Sequence, residues 1–164
     1  MAAETLVAKQ ATTYAAVPAA GDAFNIKAAV GVYNIAANTE AGDIFEMCKV
    51  PAGAVVVGGW LMGADLDTGI ETLDLDVGWK ASTAEVTDPD GFGNFGVVTG
   101  DVSVHLPVAG IYLPLQGVLL TAGPKKFAAE TVLQVTANAA SATGGTGYIT
   151  LVALFFIDPN FSAT

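Results

Sequence analysis

The amino-acid sequence predicts an all-β fold: a single-domain antiparallel sandwich or barrel of about eight short strands. Three observations predict this class. Apolar and polar residues alternate over short segments, turn residues separate those segments, and no segment has the pattern of an amphipathic helix with convincing caps. The chain has 164 residues and is 52% hydrophobic, which suits one domain with a substantial core.

An N-terminal arm at residues 1–22 is predicted to precede a β-sandwich domain at residues 23–164. The arm is rich in Ala and Thr and shows little periodicity. Its candidate contacts with a partner are the apolar side chains Leu6, Val7, Tyr14 and Val17. The alternative for this segment is a frayed terminus.

Three strands separated by turns begin the domain. Residues 24–35 alternate apolar with polar or small side chains, residues 44–50 form the second strand, and residues 54–64 form the third. The segments between them contain the Asn, Asp, Gly and Pro residues that favour turns. Glycines within residues 54–64 predict a bulge or a bend in the third strand.

The fourth strand is predicted at residues 71–79 (ETLDLDVGW), where Asp74 and Asp76 alternate with apolar residues. Side chains alternate across a strand, so the two carboxylates share one face. A strand that is buried on one face and wet on the other produces this pattern without further chemistry. A working carboxylate pair, which holds a metal or moves a proton, is the alternative.

Residues 81–126 are less regular. In chain order, they predict a short helix or an excursion at residues 82–86, a turn at 88–91, a strand at 102–106 and a turn at 123–126. Residues 111–113 and 117–121 flank Pro114, which cannot donate to a strand ladder. Any strand there is therefore predicted to be broken or to lie at a sheet edge.

The last two strands are predicted at residues 131–138, which alternate, and at residues 148–157. A loop of small residues separates them. The final strand contains the continuous apolar run from Leu151 to Ile157. Such a run predicts burial on both faces or against a neighbouring subunit.

Composition excludes several classes of function. The net charge is −10 with six Lys and no Arg, which opposes nucleic-acid binding because phosphate contacts need many basic residues. No apolar run approaches the roughly 20 residues of a membrane-spanning helix, and the first residues lack the pattern of a signal peptide. A single Cys excludes an intrachain disulfide. An apolar chain of this kind is expected to form a homo-oligomer.

Four aspartates are the candidate ligands of a calcium site, which is the alternative to a purely structural role for them. Asp65 and Asp67 lie in a DLDTG segment that resembles the first half of a calcium loop, and Asp88 and Asp90 are candidate additional ligands. The spacing of the later ligands, the glycine position and the flanking helices of an EF-hand are missing. We therefore expect no metal and no cofactor.

Other catalytic templates are incomplete. His105 is the only histidine and Cys48 the only thiol, and both are interpreted as structural rather than as a catalytic pair. Residues 91–96 have the letters GxGxxG but follow a DPD turn, so they are interpreted as a loop. Phe92 and Phe95 in that loop are candidate partner contacts, with packing beneath the loop as the alternative. No catalytic residue is assigned.

Several segments together resemble a known layout. They are KVPAGAVVVGGWL at residues 49–61, ETLDLDVGW at residues 71–79 and GYITLVALFF at residues 147–156. Their order is similar to that of small head proteins of tailed bacteriophages, of the capsid decoration, or cement, type. The resemblance covers residues 42–79 and 130–158. It does not extend to the arm or to residues 80–100.

The resemblance implies a jelly-roll-like, often trimeric protein that is made in the host cytoplasm. It implies a position on the outer surface of the virion, where the protein binds the major capsid protein and bridges neighbouring capsid subunits. A head fibre base, a tail component or a carbohydrate-binding module is the alternative; an exposed cluster of Trp60, Trp79, Tyr112 and Phe92 would favour sugar binding. A cupin-like enzyme would need several histidines, and a shell-forming capsid protein would need a long helix.

Overall fold

A computed structural model describes residues 5–7, 26–67, 72–97 and 110–158 of the chain. In chain order, the elements are β1 (Thr5–Val7), β2 (Lys27–Ile35), β3 (Ile44–Val50), β4 (Ala54–Gly63), β5 (Asp74–Trp79), β6 (Asp88–Val97), β7 (Ile111–Pro114), α1 (Val118–Thr121), β8 (Lys125–Lys126), β9 (Thr131–Ala139) and β10 (Gly147–Ile157). No helix among the described residues is long and apolar enough to cross a membrane.

Two sheets form a sandwich, and each consists of four antiparallel strands and one short added strand. Sheet 1 has the order β3-β9-β5-β6 and sheet 2 the order β2-β10-β4-β7. Successive strands alternate between the sheets, except where β5 and β6 are neighbours, and this is the topology of a jelly roll. The short β1 adds to the edge of sheet 1 in parallel with β3, and β8 pairs with the start of β4. The predicted jelly-roll-like sandwich is confirmed.

The core between the sheets consists of the inward-facing rows of both. Fully buried side chains include Leu61 and Leu151 from sheet 2 and Val77 and Leu133 from sheet 1. Alternation places these side chains on one face of each strand, so the hydrophobic effect selects the register.

The two sheets approach closely where β2 crosses β3. The Tyr33 and Phe45 rings pack with their centroids 5.3 Å apart. At Gly31, an added Cβ would lie only 2.4 Å from the carbonyl oxygen of Met47. Glycine is therefore required at this position because any side chain would push the sheets apart.

An aromatic cluster closes one end of the sandwich. Trp79 packs edge-on against Phe92 and Phe127, with ring centroids 5.1 and 5.4 Å away. The indole nitrogen of Trp79 donates to the Val86 carbonyl at 3.0 Å, and the Lys125 ammonium lies 4.8 Å from the centre of its ring. The cluster fixes the end of β5 against β6 by burial and by specific aromatic geometry.

Two predictions for the middle of the chain are corrected by the structure, and a third falls on residues that the structure does not describe. The predicted turn at residues 88–91 is wrong, because these residues begin β6. β6 is an edge strand, where Pro89 and repeated glycines are tolerated. The GxGxxG loop is likewise wrong, because residues 91–96 continue the same strand. Residues 102–106, a predicted strand, lie outside the described residues.

The segment around Pro114 is part strand and part helix. β7 ends at Pro114 and lies at the edge of sheet 2, which confirms the predicted edge position. Residues 118–121 form the short helix α1 rather than a strand. The turn predicted at residues 123–126 is wrong at its end, where Lys125 and Lys126 pair with Val56 and Val55 of β4.

Candidate functional site

Asp67 is a structural carboxylate that joins three segments. Its Oδ2 atom accepts hydrogen bonds from the backbone N–H groups of Thr72 at 2.6 Å and Leu73 at 2.9 Å, at the entry to β5. Its Oδ1 atom accepts one from the N–H of Thr143 at 3.0 Å, in the loop before β10. The side chain is 1% exposed. Both oxygens are thus occupied by donors of the protein itself.

The pKa of Asp67 is lowered from its usual value. Burial alone would raise the pKa, but the N–H donors of Thr143, Thr72 and Leu73 stabilise the charged form and outweigh that effect. Asp67 is therefore ionised at neutral pH, and it acts on folding rather than on a ligand.

The four aspartates of the alternative calcium site do not meet. Asp67 is bonded to Thr72 and Leu73 at the start of β5, whereas Asp88 lies opposite Trp79 at its end. Six residues of extended chain separate the two places by roughly 20 Å. Within the described ranges, no group of three or more His, Cys, Asp or Glu residues is arranged to hold a metal ion. Asp65 and Asp67 cannot share a cation with Asp88 and Asp90.

Added Ca²⁺ is expected to leave the melting temperature of the protein nearly unchanged, because the oxygens of Asp67 already accept backbone donors. Thermal unfolding in millimolar-range Ca²⁺ and in chelator gives the comparison. A stabilisation of several degrees that disappears in the Asp65→Ala variant would contradict this expectation.

Asp74 and Asp76 share one face of β5, as predicted, but that face is not wet at Asp76. Asp76 is only 3% exposed, and its cross-strand neighbours are Thr136 of β9 and Asn94 of β6. Its Oδ2 atom accepts a hydrogen bond from the side-chain amide of Asn138. The other oxygen, and Oδ1 of Asp74, are buried without a hydrogen-bond partner.

The pKa of Asp76 is raised, first by burial and then by the charges of Asp74 and Asp90, against the opposing hydrogen bond from Asn138. Burial also raises the pKa of Asp88, with its contact to Asp90 as a further cause. In their charged form, these carboxylates therefore lower the stability of the fold, whereas the charged form of Asp67 raises it.

The thiol and imidazole candidates do not form a site in the described structure. Cys48 is buried in the core, and burial raises the pKa of its thiol to about 12. A thiol in that state is a poor nucleophile. His105 lies outside the described residues.

The candidate partner contacts lie in different parts of the structure. Phe92 is fully buried in the aromatic cluster, so the packing alternative describes it and its side chain has no exposed surface. Phe95 is partly buried against the core, and its contact with a partner stays a prediction. Leu6 and Val7 belong to β1, whose backbone pairs with β3 of the same chain. Tyr14 and Val17 lie outside the described residues.

Charge is distributed unequally between the two sheets. The strands of sheet 1 carry five carboxylates, Glu46, Asp74, Asp76, Asp88 and Asp90. The strands of sheet 2 carry no carboxylate, and their charged residues are Lys27 of β2 and Lys125 and Lys126 of β8. The sandwich thus has one sheet rich in carboxylates and one sheet whose strands have none, a division that becomes apparent only after the strands are assigned to sheets.

The jelly roll of this chain is shared with chains from bacteriophage capsid structures. One belongs to the capsid of Ralstonia phage GP4, with a TM-score of 0.70 and 23% identity over 94% of this chain and 98% of that chain. A second belongs to the capsid asymmetric unit of cyanophage Pam1, with a TM-score of 0.61 and 21% identity over 90% and 95% of the two chains.

A third similar chain comes from the acid-stable capsid of the Helicobacter pylori bacteriophage KHP30. Its TM-score is 0.51 and its identity 14%, over 81% of this chain and 88% of that chain. At these identities the likeness establishes a common fold. No protein-family model and no curated protein sequence matches the chain.

Proposed function

We propose that the chain is a structural virion protein that binds the outside of a tailed-phage capsid and bridges neighbouring capsid subunits. The observation that carries the proposal is the extent of the structural likeness. The jelly roll matches a chain of a phage capsid over 94% of its own length and 98% of the other. A match that is nearly complete in both directions indicates a protein of the same size and architecture.

The electrostatics of the chain support a place outside the shell. With a net charge of −10 and no Arg, it would be repelled by packaged DNA. Its principal partner would be the major capsid protein. Several modest contacts, made at once across subunit boundaries by an oligomer, stabilise a shell through avidity without any chemistry. The resemblance favours a trimer. We propose that the arm at residues 1–22 extends onto a neighbouring subunit.

A carbohydrate-binding module is less well supported. Sugar binding would use an exposed cluster of Trp60, Trp79, Tyr112 and Phe92. Trp79 and Phe92 are instead core residues, with 4% and 0% of their surface exposed. Trp60 and Tyr112 remain half-buried on the outer face of sheet 2. The carboxylates and the buried thiol offer no catalytic arrangement among the described residues.

Co-sedimentation with capsids tests the proposal. The purified chain would be mixed with DNA-filled, expanded heads of the phage that encodes it, after any native copies have been stripped, and with unexpanded proheads. We expect saturable binding to the heads at a fixed number of copies per capsid. Absence of binding to heads, with binding to purified tails, would replace this function by a role in the tail.

A further inference from the structure

The outer face of sheet 2 is mostly apolar and includes two uncharged polar residues, Asn34 and Thr150. Val30, Val152 and Trp60 lie side by side in one row across β2, β10 and β4, and Val32 and Met62 belong to the next row. Val30 is 41% exposed, Val32 38% and Met62 39%. We call the outward-facing residues of these strands and of β7 the apolar face.

The four strands β2, β10, β4 and β7 place no charged side chain on the apolar face. At its margin, Lys126 of β8 lies beside Val55 and forms an ion pair with Asp158. Lys27, the only charged residue of the four strands, lies in the alternate row with the buried Ala29 and Ile35. The chain as a whole has a net charge of −10, and five carboxylates belong to the strands of sheet 1. Contiguous apolar surface that is this free of charge marks an interaction site.

We propose that copies of this chain associate with one another through the apolar face, which turns toward the symmetry axis of a closed oligomer. Charge is the reason to choose a second copy as the occupant. Two copies that met through sheet 1 would bring carboxylates together, and like charges oppose association. Through the apolar face, neighbouring copies of a closed symmetric oligomer meet without that penalty.

The dimensions of the face are sufficient. Four strands at about 4.8 Å spacing and about nine residues at about 3.3 Å each give a projected area of roughly 500–600 Å² per copy. Accessible area exceeds projected area, so the contact approaches the roughly 800 Å² per partner of ordinary specific interfaces. This inference deepens the proposed function, on which its use in the virion rests, because bridging requires several linked copies.

Gly58 provides a clean test of the apolar face. It lies opposite Leu154 of β10, in the outward row, and a Cβ added there meets no atom within 4 Å. A Gly58→Lys substitution therefore places a charge on the face without a clash inside one copy. Met62→Lys is a second, independent probe. Leu120→Lys is the matched control, because Leu120 is 76% exposed on α1, away from the face.

The readout is the mass of the full chain in solution, by sedimentation velocity and light scattering over a range of concentrations, with circular dichroism melting as the check of folding. We expect an oligomer for the wild type. Gly58→Lys and Met62→Lys should each raise its dissociation constant more than about tenfold, because burial of an unpaired charge is costly. Each Lys substitution also makes the net charge of the chain less negative, so weaker association of these variants cannot result from stronger charge repulsion between copies. Leu120→Lys should assemble as the wild type does.

Two results would overturn the inference: a wild-type chain that stays monomeric at its highest soluble concentration, or folded Gly58→Lys and Met62→Lys variants that assemble normally. Neither result decides the proposed function. A monomer that still binds phage heads would remove the apolar face as a self-interface and leave capsid binding intact. An oligomer that depends on the apolar face but does not bind phage heads would support the self-interface and contradict capsid binding.

Discussion

We expect the Asp67→Asn variant to lose about 3 kcal/mol of unfolding free energy at pH 7, because one of its two oxygens becomes an amide that faces backbone N–H donors. The same change at Asp76 is expected to have little effect or to stabilise the fold. Asp76 keeps an acceptor for Asn138, and the variant removes a buried charge whose Oδ1 atom has no partner. Chemical denaturation of both variants measures the difference.

The two aspartates should also give opposite pH dependences. The pKa of Asp67 is lowered in the fold, so its contribution is complete above the unfolded pKa of about 3.9 and is lost as the pH falls through the folded pKa. The pKa of Asp76 is raised, so its favourable contribution exists below about pH 3.9 and is lost as the pH rises through the folded pKa. Replacement by Asn should remove each dependence.

Asp65→Asn is the matched control for Asp67, since Asp65 lies in the same loop and, among the described residues, accepts one hydrogen bond, from the N–H of Asp67 at 3.3 Å. It should cost less than about 1 kcal/mol. Equal losses in the Asp65 and Asp67 variants would show that Asp67 is not the carboxylate that holds the loops together.

Deletion of residues 1–20 is expected to abolish binding to phage heads while the sandwich remains folded. Of the deleted segment, the structure describes β1 alone, whose three residues pair with the edge of sheet 1, so we expect a small loss of stability. Loss of one of several linked contacts reduces avidity by about 100-fold or more. Co-sedimentation measures the binding and circular dichroism the fold.

A deletion of residues 1–4 serves as the control because it retains β1 and the rest of the arm. It should bind heads as the full chain does. If the longer deletion binds equally well, the arm has no part in capsid attachment, and the contact must be sought on the sandwich itself.

Alternation was sufficient to predict the strands that are inner or regular. The predicted residues 44–50 coincide with β3, and residues 54–64, 131–138 and 148–157 match β4, β9 and β10 to within one residue at each end. Each of these strands buries the side chains of one face or of both faces, so hydrophobic burial determines its sequence of apolar and polar residues directly. β6 was missed because Pro89 and its glycines are turn residues by type, and only the edge position in the sheet makes them acceptable in a strand.

Burial of polar groups could not be predicted from the strand pattern. Asp76 has the alternation of a wet face, yet it is 3% exposed between Thr136 of β9 and Asn94 of β6. Which strands become neighbours is a property of the topology, and local sequence does not encode it. Asp67 was singled out for its resemblance to a metal loop, whereas its real partners, Thr72, Leu73 and Thr143, come from two other segments.

The most direct test of the proposed function is a cryo-electron microscopy reconstruction of the phage head that carries this chain. We expect the jelly roll as density on the outer surface of the shell, with each copy or oligomer in contact with at least two capsid subunits. Density for the chain on the inner surface, in the tail, or on a single capsid subunit without a bridge would contradict the proposal.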